Sequence, residues 1–201
     1  MDGEADGNGH ARGRRPPSKA LLFARNFVRH PTMLGVPLPS SRFLIRRLLG
    51  HGHWERAKVV VEYGPGVGTF TTEILRRMPP DGRLLAIETN RDFVDYLERW
   101  VDDPRLDVVH GSAERVGELM EERGLARADY VVSGVPFGTL PPSVRDRIVR
   151  ATRDVLAPDG AFLVYQFLPT ALSYLRGEFR EVTEDREALN LVPMRIYECR
   201  P

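Results

Sequence analysis

Apolar residues follow two alternating patterns along the chain from Lys58 onward. Short runs rich in β-branched residues, bounded by glycine, proline or asparagine, are typical of buried strands. The segments between them carry apolar residues three or four positions apart, which is typical of helices packed on a sheet. The runs predict strands at 58–63, 83–88, 106–109, 129–133 and 160–167, and the segments predict helices at 69–77, 91–102, 113–123 and 143–156. Such alternation indicates an α/β fold, with a largely parallel sheet and helices on both faces.

The last part of the chain adds further elements to this sheet. Residues 170–199 predict a helix, a short strand near 179–183 and a final strand from Met194 to Cys199. The final strand follows a charged turn, which allows it to enter the sheet antiparallel. With these two strands, the predicted sheet has seven.

The residues before Lys58 have a different character. Residues 1–17 are rich in glycine, aspartate, arginine and proline, so we predict that they are disordered. One helix is predicted over 19–30, ended by Pro31, and a second over 41–49. The chain therefore divides into a disordered tail at 1–17, an N-terminal helical segment at 18–57 and an α/β domain at 58–201.

The first predicted helix is amphipathic and basic. Phe23 and Phe27 share its apolar face, and Arg25 and Arg29 lie beside that face. The region from 11 to 50 holds nine basic and no acidic residues, although the whole chain has a net charge of only +1. A helix of this kind lies in a membrane interface, with its aromatic rings below the head groups and its arginines on lipid phosphates. We therefore expect an anionic membrane surface as partner, with packing on the domain or contact with RNA as alternatives.

Composition limits the remaining possibilities. At 201 residues the chain has room for one α/β domain, and no apolar stretch approaches the roughly 20 residues that cross a bilayer. Cys199 is the only cysteine, which excludes an intramolecular disulfide and a zinc ribbon, and we expect no metal. The basic N-terminus is followed by no long apolar segment, so we expect no secretory signal and a cytoplasmic location.

The candidate chemistry begins where the first strand of the predicted domain ends. A Val-Val-Val-Glu-Tyr run leads directly into Gly64, Gly66 and Gly68, and the next strand ends on Glu88, twenty residues past Gly68. Glycines at such a turn allow a ligand to lie against bare backbone N–H groups. A carboxylate one strand over is placed to accept hydrogen bonds from both hydroxyls of a ribose. The pattern predicts an adenosine-bearing cofactor; the alternative is a turn that only packs a helix on the sheet.

The spacing of the glycines distinguishes two classes of cofactor. In a dinucleotide site the third glycine stands one residue later, and the helix N-terminus faces a pyrophosphate. Here Gly68 comes early and Glu62 precedes the turn. A carboxylate there repels a pyrophosphate but attracts the amino group of a methionine moiety. The motif therefore resembles the Glu-x-Gly-x-Gly-x-Gly sequence of class I S-adenosylmethionine-dependent methyltransferases, which have a Rossmann-like fold.

The resemblance, together with the rule that ligands bind beyond the carboxyl ends of parallel strands, implies a set of cofactor-binding residues. They are Glu62, Tyr63, Gly64, Gly66, Gly68, Thr69, Glu88, Thr89, Ser112, Ala113 and Gly134. Ser112 and Ala113 follow the third strand, where the adenine would lie. Many methyltransferases have an aspartate there, for which this chain offers Glu114 or a backbone carbonyl. The alternative for Glu114 is a structural role in the first turn of a helix.

The segment from Ser133 to Phe137, Ser-Gly-Val-Pro-Phe, follows the fourth strand and faces the acceptor. Methyltransferases that act on adenine amino groups have Asn or Asp, then x-Pro-Tyr or x-Pro-Phe, at this place. This chain keeps the proline and the aromatic ring but has Gly134 in place of the Asn or Asp. The loss of that hydrogen-bond acceptor makes adenine a less expected substrate.

Several motifs together resemble the bacterial phospholipid N-methyltransferases, which are related to the rRNA adenine dimethyltransferases. They are Ser-Gly-x-Pro-Phe, a Tyr165-Gln-Phe fifth strand, a closing segment with Asn190, Pro193 and Tyr197, and an N-terminal pattern of aromatic residues, prolines and serines. The resemblance implies methylation of phosphatidylethanolamine, and on to phosphatidylcholine, by an enzyme bound peripherally to the inner face of the membrane. The alternatives are an RNA or small-molecule methyltransferase, nucleic acid being the less expected partner, and a non-catalytic membrane-binding protein of the same fold.

The resemblance also implies what the site must do to the acceptor. An ethanolamine ammonium has to lose a proton before it attacks a methyl group, so the site needs desolvation or a base. Tyr165, Tyr63 and His110 are candidate bases. Phe137 and Tyr165 are the candidate catalytic rings, because a ring beside the amine stabilises a cationic product by about 0.5–2 kcal/mol.

Overall fold

The computed structural model describes Ser18 and residues 41–167, 171–189 and 193–201. Some sequence predictions fall outside these ranges. They concern the disordered tail, the first helix with Phe23, Arg25, Phe27 and Arg29, and the motif residue Asn190. These stay predictions.

Seven strands form one sheet in the order β3-β2-β1-β4-β5-β7-β6. Their bounds are β1 Val59–Tyr63, β2 Arg83–Glu88, β3 Leu106–His110, β4 Ala128–Ser133, β5 Leu156–Gln166, β6 Glu181–Glu187 and β7 Met194–Arg200. Strands β1 to β5 are parallel, and β7 lies antiparallel between β5 and β6. The predicted seven-stranded, mostly parallel sheet is confirmed, including the reversal of the last strand.

Six α-helices cover the sheet within the described residues. They are α1 Arg42–Leu48, α2 Thr69–Arg77, α3 Arg91–Trp100, α4 Val116–Glu121, α5 Pro142–Val155 and α6 Ala171–Glu178. Leu44 of α1 and Ile74 of α2 belong to the core on one face, whereas Ile148 of α5 and Leu175 of α6 belong to the core on the other. None of these helices is both long and apolar enough to cross a bilayer.

The burial of β1 explains its uninterrupted apolar run. All five of its residues are buried. Val59, Val61 and Tyr63 point into the core beneath α5, and Val60 points into the core beneath α1. Because successive side chains of a strand point to opposite faces, a central strand covered on both faces needs apolar residues at consecutive positions.

The start of β5 differs from the sequence prediction. The strand begins four residues earlier, at Leu156, because Leu156 already pairs with Ala128 of β4. The register then shifts before Ala161 pairs with Tyr130. The irregular stretch contains Gly160, where a Cβ would stand 2.9 Å from the carbonyl oxygen of Ala128. The Pro-Asp-Gly sequence is therefore part of an irregularity inside the strand.

Two other elements also differ in extent. β6 reaches Glu187, beyond the predicted 179–183, because it pairs with β7 along its whole length. Most of its side chains are charged, as is common in an edge strand, so no apolar alternation marks it. In place of one helix at 113–123, a 3-10 turn at Ala113–Arg115 precedes the short α4.

The strand order brings the carboxyl ends of β1, β2 and β4 together at one end of the sheet. The chain runs outward from β1 to β3 and then returns to β4 on the other side of β1, which makes a topological switch point there. Tyr63 pairs with Ile87 of β2 and with Ser133 of β4. The glycine loop, Glu88 and Gly134 therefore open from the same end of the sheet.

Candidate active site

The loop between β1 and α2 depends on glycines with a left-handed backbone. The φ angles of Gly64, Gly66 and Gly68 are +65°, +56° and +71°, and residues with a Cβ are strained at such values. Gly68 also approaches α3, because a Cβ there would lie 2.6 Å from Leu97 Cδ2. Thr69 follows directly as the first residue of α2. Much of the loop therefore presents bare backbone.

Glu88, the last residue of β2, is hydrogen-bonded to this loop. One carboxylate oxygen accepts from the N–H of Gly66 at 3.1 Å, and the other accepts from the N–H of Asn90 at 2.9 Å. Burial raises the pKa of Glu88, and these backbone donors oppose the rise. The carboxylate thus lies beside the glycine loop, which is where a ribose diol is predicted to bind.

Glu62 lies beneath the same loop as a second buried carboxyl. Its Oε2 accepts a hydrogen bond from Thr71 Oγ1 of α2 at 2.7 Å. Burial raises the pKa of Glu62 to about 7, and the negative charge of Glu88 adds to the rise, while the bond from Thr71 opposes it. Two carboxyls in one buried region attract a cationic ligand and repel a pyrophosphate.

The turn after β3 holds the residues predicted to lie along the adenine. Ser112 Oγ accepts a hydrogen bond from the N–H of Glu114 at 3.3 Å, and Ala113 is buried. Arg147 Nε of α5 donates to Glu114 Oε1 at 2.6 Å. This ion pair supports the structural alternative for Glu114.

The ends of β2 and β3 are joined by two contacts. The N–H of Gly111 donates to the carbonyl of Glu88 at 2.9 Å, and His110 Nε2 lies 3.0 Å from the carbonyl oxygen of Thr89. Thr89 and His110 are both exposed. His110 is therefore at the β3 side of the site, and two strands, β2 and β1, separate it from Gly134 at the end of β4.

Gly134 and Tyr165 are fitted to each other on the acceptor side of the site. A Cβ at Gly134 would lie 2.1 Å from Tyr165 Oη, so the phenol occupies the space that a larger residue at 134 needs. The Tyr165 ring stacks on Phe70 of α2, with centroids 4.8 Å apart and planes at 27°. Gln166 Nε2 donates to the carbonyl of Val135 at 2.6 Å and fixes the loop after β4 to β5. The structure thus brings Gly134 and Tyr165 together.

Two predicted aromatic residues have their side chains in the core. The Phe137 ring is fully buried, at 6.3 Å and 89° to Phe162 and at 6.0 Å and 54° to Tyr174. Its role beside an acceptor amine stays a prediction, one that requires the ring to leave this position. The Tyr63 phenol is buried 3.1 Å from Thr152 Oγ1, and burial raises its pKa. Only the backbone of Tyr63 reaches the site, where its carbonyl accepts from the N–H of Gly134 at 3.3 Å.

Metal ligation finds no support in the part of the chain that the structure describes. No group of three or more His, Cys, Asp or Glu residues there is arranged to hold a metal ion. Cys199 is buried in β7, and burial raises the pKa of its thiol. The thiol is thus a packing group in the core.

Comparison with known proteins identifies the class to which this site belongs. A family model described as a methyltransferase domain matches residues 60–160, about half of the chain. The ornithine lipid N-methyltransferase of Singulisphaera acidiphila is 36% identical over 182 residues, which are 90% of this chain and 95% of that protein. The chain belongs to the class I S-adenosylmethionine-dependent methyltransferases. The family, the enzyme class and the cofactor predicted from the sequence are therefore confirmed.

Other matches of this methyltransferase are more distant or shorter. The ribosomal RNA small subunit methyltransferase H of Shewanella baltica is 32% identical over 82 residues, which are 40% of this chain and 26% of that protein. The structure of the N-methyltransferase NodS from Bradyrhizobium japonicum, in complex with S-adenosyl-L-homocysteine, superposes with a TM-score of 0.64 and 13% identity. The superposition covers 89% of this chain and 98% of the NodS chain, and at this low identity it shows only that the two proteins share a fold.

The residues of this methyltransferase fit the cofactor of its class. S-adenosylmethionine carries positive charge on its sulfur and on its amino group, and the site holds the buried carboxyls of Glu62 and Glu88. Gly64, Gly66 and Gly68 leave the backbone of the loop bare. The contact of each predicted residue with the cofactor stays a prediction.

Two residues of the site were missed by sequence reasoning. Thr71 is fully buried and bonded to Glu62, and Phe70 supports the Tyr165 ring. A signal existed for Thr71, which is a polar residue on the apolar face of α2 among Phe70 and Ile74. The stack of Phe70 on Tyr165 joins residues 95 positions apart, and no local pattern predicts it.

Proposed function

We propose that this methyltransferase transfers methyl groups to the amino group of a membrane lipid. The observation that carries the proposal is the 36% identity, over 90% of the chain, to a protein named ornithine lipid N-methyltransferase. The motifs that resemble phospholipid N-methyltransferases favour phosphatidylethanolamine as the acceptor, whereas this relative favours an ornithine lipid. Both lipids present a primary ammonium group at the membrane surface, so the same site chemistry serves either one.

The acceptor amine is proposed to bind beside the Tyr165 phenol. Bound S-adenosylmethionine supplies a methyl group on a positively charged sulfur, which is a good leaving group. The Tyr165 phenol lies over Gly134 at the carboxyl end of β4, and Phe70 holds its ring. The ammonium would lose a proton to solvent before the transfer, and the phenol oxygen would then accept a hydrogen bond from the neutral amine and direct its lone pair. The ring would also stabilise the methylated ammonium by cation–π attraction, worth about 0.5–2 kcal/mol.

Membrane contact is proposed to come from the N-terminal segment. Phe23 and Phe27 share one face of the helix predicted there, and Arg25 and Arg29 flank it. Aromatic rings below the head groups and arginines on the phosphates would hold the enzyme peripherally on an anionic leaflet. The proposed location is therefore the cytoplasmic face of the membrane.

Methylation of RNA or of a small molecule is less well supported. The match to the ribosomal RNA methyltransferase covers only 40% of the chain. Gly134 also offers no side-chain acceptor for an adenine amino group, because the Tyr165 phenol fills that space. These two observations favour a flexible alkyl amine over a planar one.

Incubation of the purified protein with methyl-labelled S-adenosylmethionine tests the proposal. Separate reactions contain vesicles with phosphatidylethanolamine, vesicles with ornithine lipid, and total RNA. We expect label in the organic phase, and chromatography then identifies the lipid and the number of methyl groups added. Glu88→Ala should abolish the transfer, because the cofactor loses its predicted ribose contact. Label that appears only in the RNA would contradict the proposal.

A further inference from the structure

A basic cavity of about 570 Å³ lies between α1 and α2. Four of its lining residues are arginines: Arg42 and Arg46 of α1, and Arg76 and Arg77 of α2. The acidic residue among the lining set is Glu73 of α2. We call this cavity the α1–α2 pocket. It carries an excess of positive charge, although residues 51–201 hold 20 basic and 25 acidic side chains.

The two arginines on the α2 side of the pocket already share the carboxylate of Glu73. Arg76 donates to both carboxylate oxygens of Glu73, at 3.0 and 2.7 Å. Arg77 lies 3.4 Å from the same carboxylate and donates to the carbonyl of Leu49 at 3.2 Å. The α2 arginines therefore have partners within the protein.

The charges on the α1 side have no such partner. Neither Arg42 nor Arg46 forms an ion pair with any residue in the described part of the chain. The two stand four positions apart and so lie on the same side of α1, where like charges repel. Both are exposed, and the Arg42 guanidinium lies 5.0 Å from the centre of the Phe43 ring. An anion between them would relieve this repulsion.

The neighbouring arginine of α1, in contrast, has a partner within the protein. Arg47 donates to both carboxylate oxygens of Asp185 in β6, at 2.7 and 2.8 Å. That contact lowers the pKa of Asp185 to about 2. The arginine of α1 that faces the sheet is thus paired internally, whereas the two that face the pocket are available to an external anion.

Apolar groups beside these arginines favour a lipid as the source of the anion. Phe43 is 40% exposed and Ile45 is half-buried, and both line the pocket. An exposed ring next to two guanidinium groups is suited to the boundary between acyl chains and head groups. At its other end the pocket reaches Thr69, the residue that follows the glycine loop. A lipid held here would keep the active-site end of the sheet against the membrane.

We propose that the α1–α2 pocket binds the anionic head group of a membrane lipid. Arg42 and Arg46 hold its phosphate or carboxylate, and Phe43 contacts its acyl chains. The proposal rests on the proposed function only in assuming that the enzyme acts at a membrane surface. It assigns a docking site that is separate from the acceptor site at Gly134 and Tyr165.

Vesicle binding by the full chain tests this proposal. Sedimentation with phosphatidylcholine vesicles, with and without phosphatidylglycerol, is measured for the wild type, for R42Q/R46Q and for the charge-reversed R42E/R46E. We expect R42Q/R46Q to lose about 10- to 30-fold in partitioning onto the anionic vesicles, because each basic residue at such a surface contributes a several-fold factor. R42E/R46E should lose more, and neither variant should change on neutral vesicles.

The matched control is R83Q/R176Q, which removes the same charge from two exposed arginines outside the pocket that likewise form no ion pair among the described residues. We expect it to bind within about threefold of the wild type. Binding of S-adenosylhomocysteine by every variant reports whether the domain is folded. Competition by inorganic phosphate, and retention on total RNA, separate a lipid head group from other anions.

Three outcomes would overturn the proposal. The first is that R42E/R46E binds anionic vesicles as well as the wild type does, and the second is that the control variant loses as much vesicle binding as R42Q/R46Q. The third is that the substitutions weaken only the retention on RNA, or that millimolar phosphate abolishes the difference in vesicle binding between R42Q/R46Q and the wild type. The result is independent of catalysis. If no lipid is methylated but vesicle binding still depends on Arg42 and Arg46, the proposed function fails and the pocket assignment stands.

Discussion

At the scale of single residues, Glu62 is predicted to have opposite effects on stability and on the binding of S-adenosylmethionine. Burial raises its pKa from 4.5 to about 7. A carboxyl with a higher pKa in the folded state contributes stability that is fully present below the unfolded pKa and is lost as the pH rises to the folded pKa. The pH window of this loss is therefore about 4.5 to 7. Above it, the buried anion destabilises the protein until a cation binds.

Glu62→Gln should accordingly stabilise the protein while weakening its affinity for S-adenosylmethionine. The amide still accepts the hydrogen bond from Thr71 but carries no charge. At pH 8 we expect the free energy of unfolding to rise by about 3 kcal/mol, and below pH 4.5 we expect little change. Urea unfolding at both pH values measures this, with the exposed Glu98→Gln as control. A stabilisation that is the same at both pH values would contradict the explanation.

The fit between Gly134 and Tyr165 makes a second prediction at this scale. Gly134→Ala should lower the free energy of unfolding by about 1–3 kcal/mol, because its Cβ would stand 2.1 Å from Tyr165 Oη. In a Tyr165→Ala background the same change should cost less than about 0.5 kcal/mol. Urea unfolding of the single and double variants gives the coupling free energy between positions 134 and 165.

Gly117→Ala is the control for that cycle. Its Cβ would meet Val155 at an ordinary 3.8 Å inside α4, so it should be neutral or stabilising by up to about 1 kcal/mol. Equal costs of Gly134→Ala with and without the tyrosine would show that the phenol does not restrict position 134.

At the scale of elements, the glycine loop sets how closely α2 and α3 approach each other. Gly68→Ala combines a strained left-handed backbone, at φ +71°, with a 2.6 Å contact to Leu97 of α3. We expect its affinity for S-adenosylmethionine to fall by more than about tenfold, because the loop must move to relieve the contact. Calorimetric titration measures the affinity.

Gly124→Ala is the control that separates the effect of left-handed backbone strain from the effect of a steric contact. Gly124 has φ +61° and nothing within 4 Å of its added Cβ, so this variant should lose about 1 kcal/mol of stability and keep its affinity. If Gly124→Ala lost affinity as Gly68→Ala does, general destabilisation would explain both.

How far the sequence predicted each element depended on what covers that element. β1 is buried on both faces, so its apolar run and the glycines after it were sufficient to place it. β6 lies at the edge of the sheet with charged, exposed residues, and only its hydrogen bonds to β7 define its length. The same limit applies in the candidate site. The glycines and Glu88 follow from local sequence, whereas the burial of Phe137 and the stack of Tyr165 on Phe70 depend on tertiary packing.

At the scale of the whole molecule, positive charge is concentrated near the N-terminus, and this distribution affects how the protein would approach an anionic membrane. Nine basic and no acidic residues lie between 11 and 50, whereas residues 51–201 hold 20 basic and 25 acidic side chains. An anionic membrane would attract the first region and repel the second. Combined with the α1–α2 pocket, this asymmetry would favour one orientation of the enzyme on the surface.

This asymmetry predicts that lipid methylation is sensitive to salt only when the lipid is in an anionic surface. Raising sodium chloride from about 50 to about 500 mM shortens the Debye length from roughly 14 to roughly 4 Å and screens the attraction. We expect the methylation rate on vesicles with phosphatidylglycerol to fall by more than about tenfold, and the rate on the same acceptor in neutral detergent micelles to change by less than about twofold. Label transferred from S-adenosylmethionine measures both rates. Equal salt sensitivity in vesicles and micelles would place the effect in the active site, since the micelles remove the surface charge and leave the acceptor chemistry unchanged.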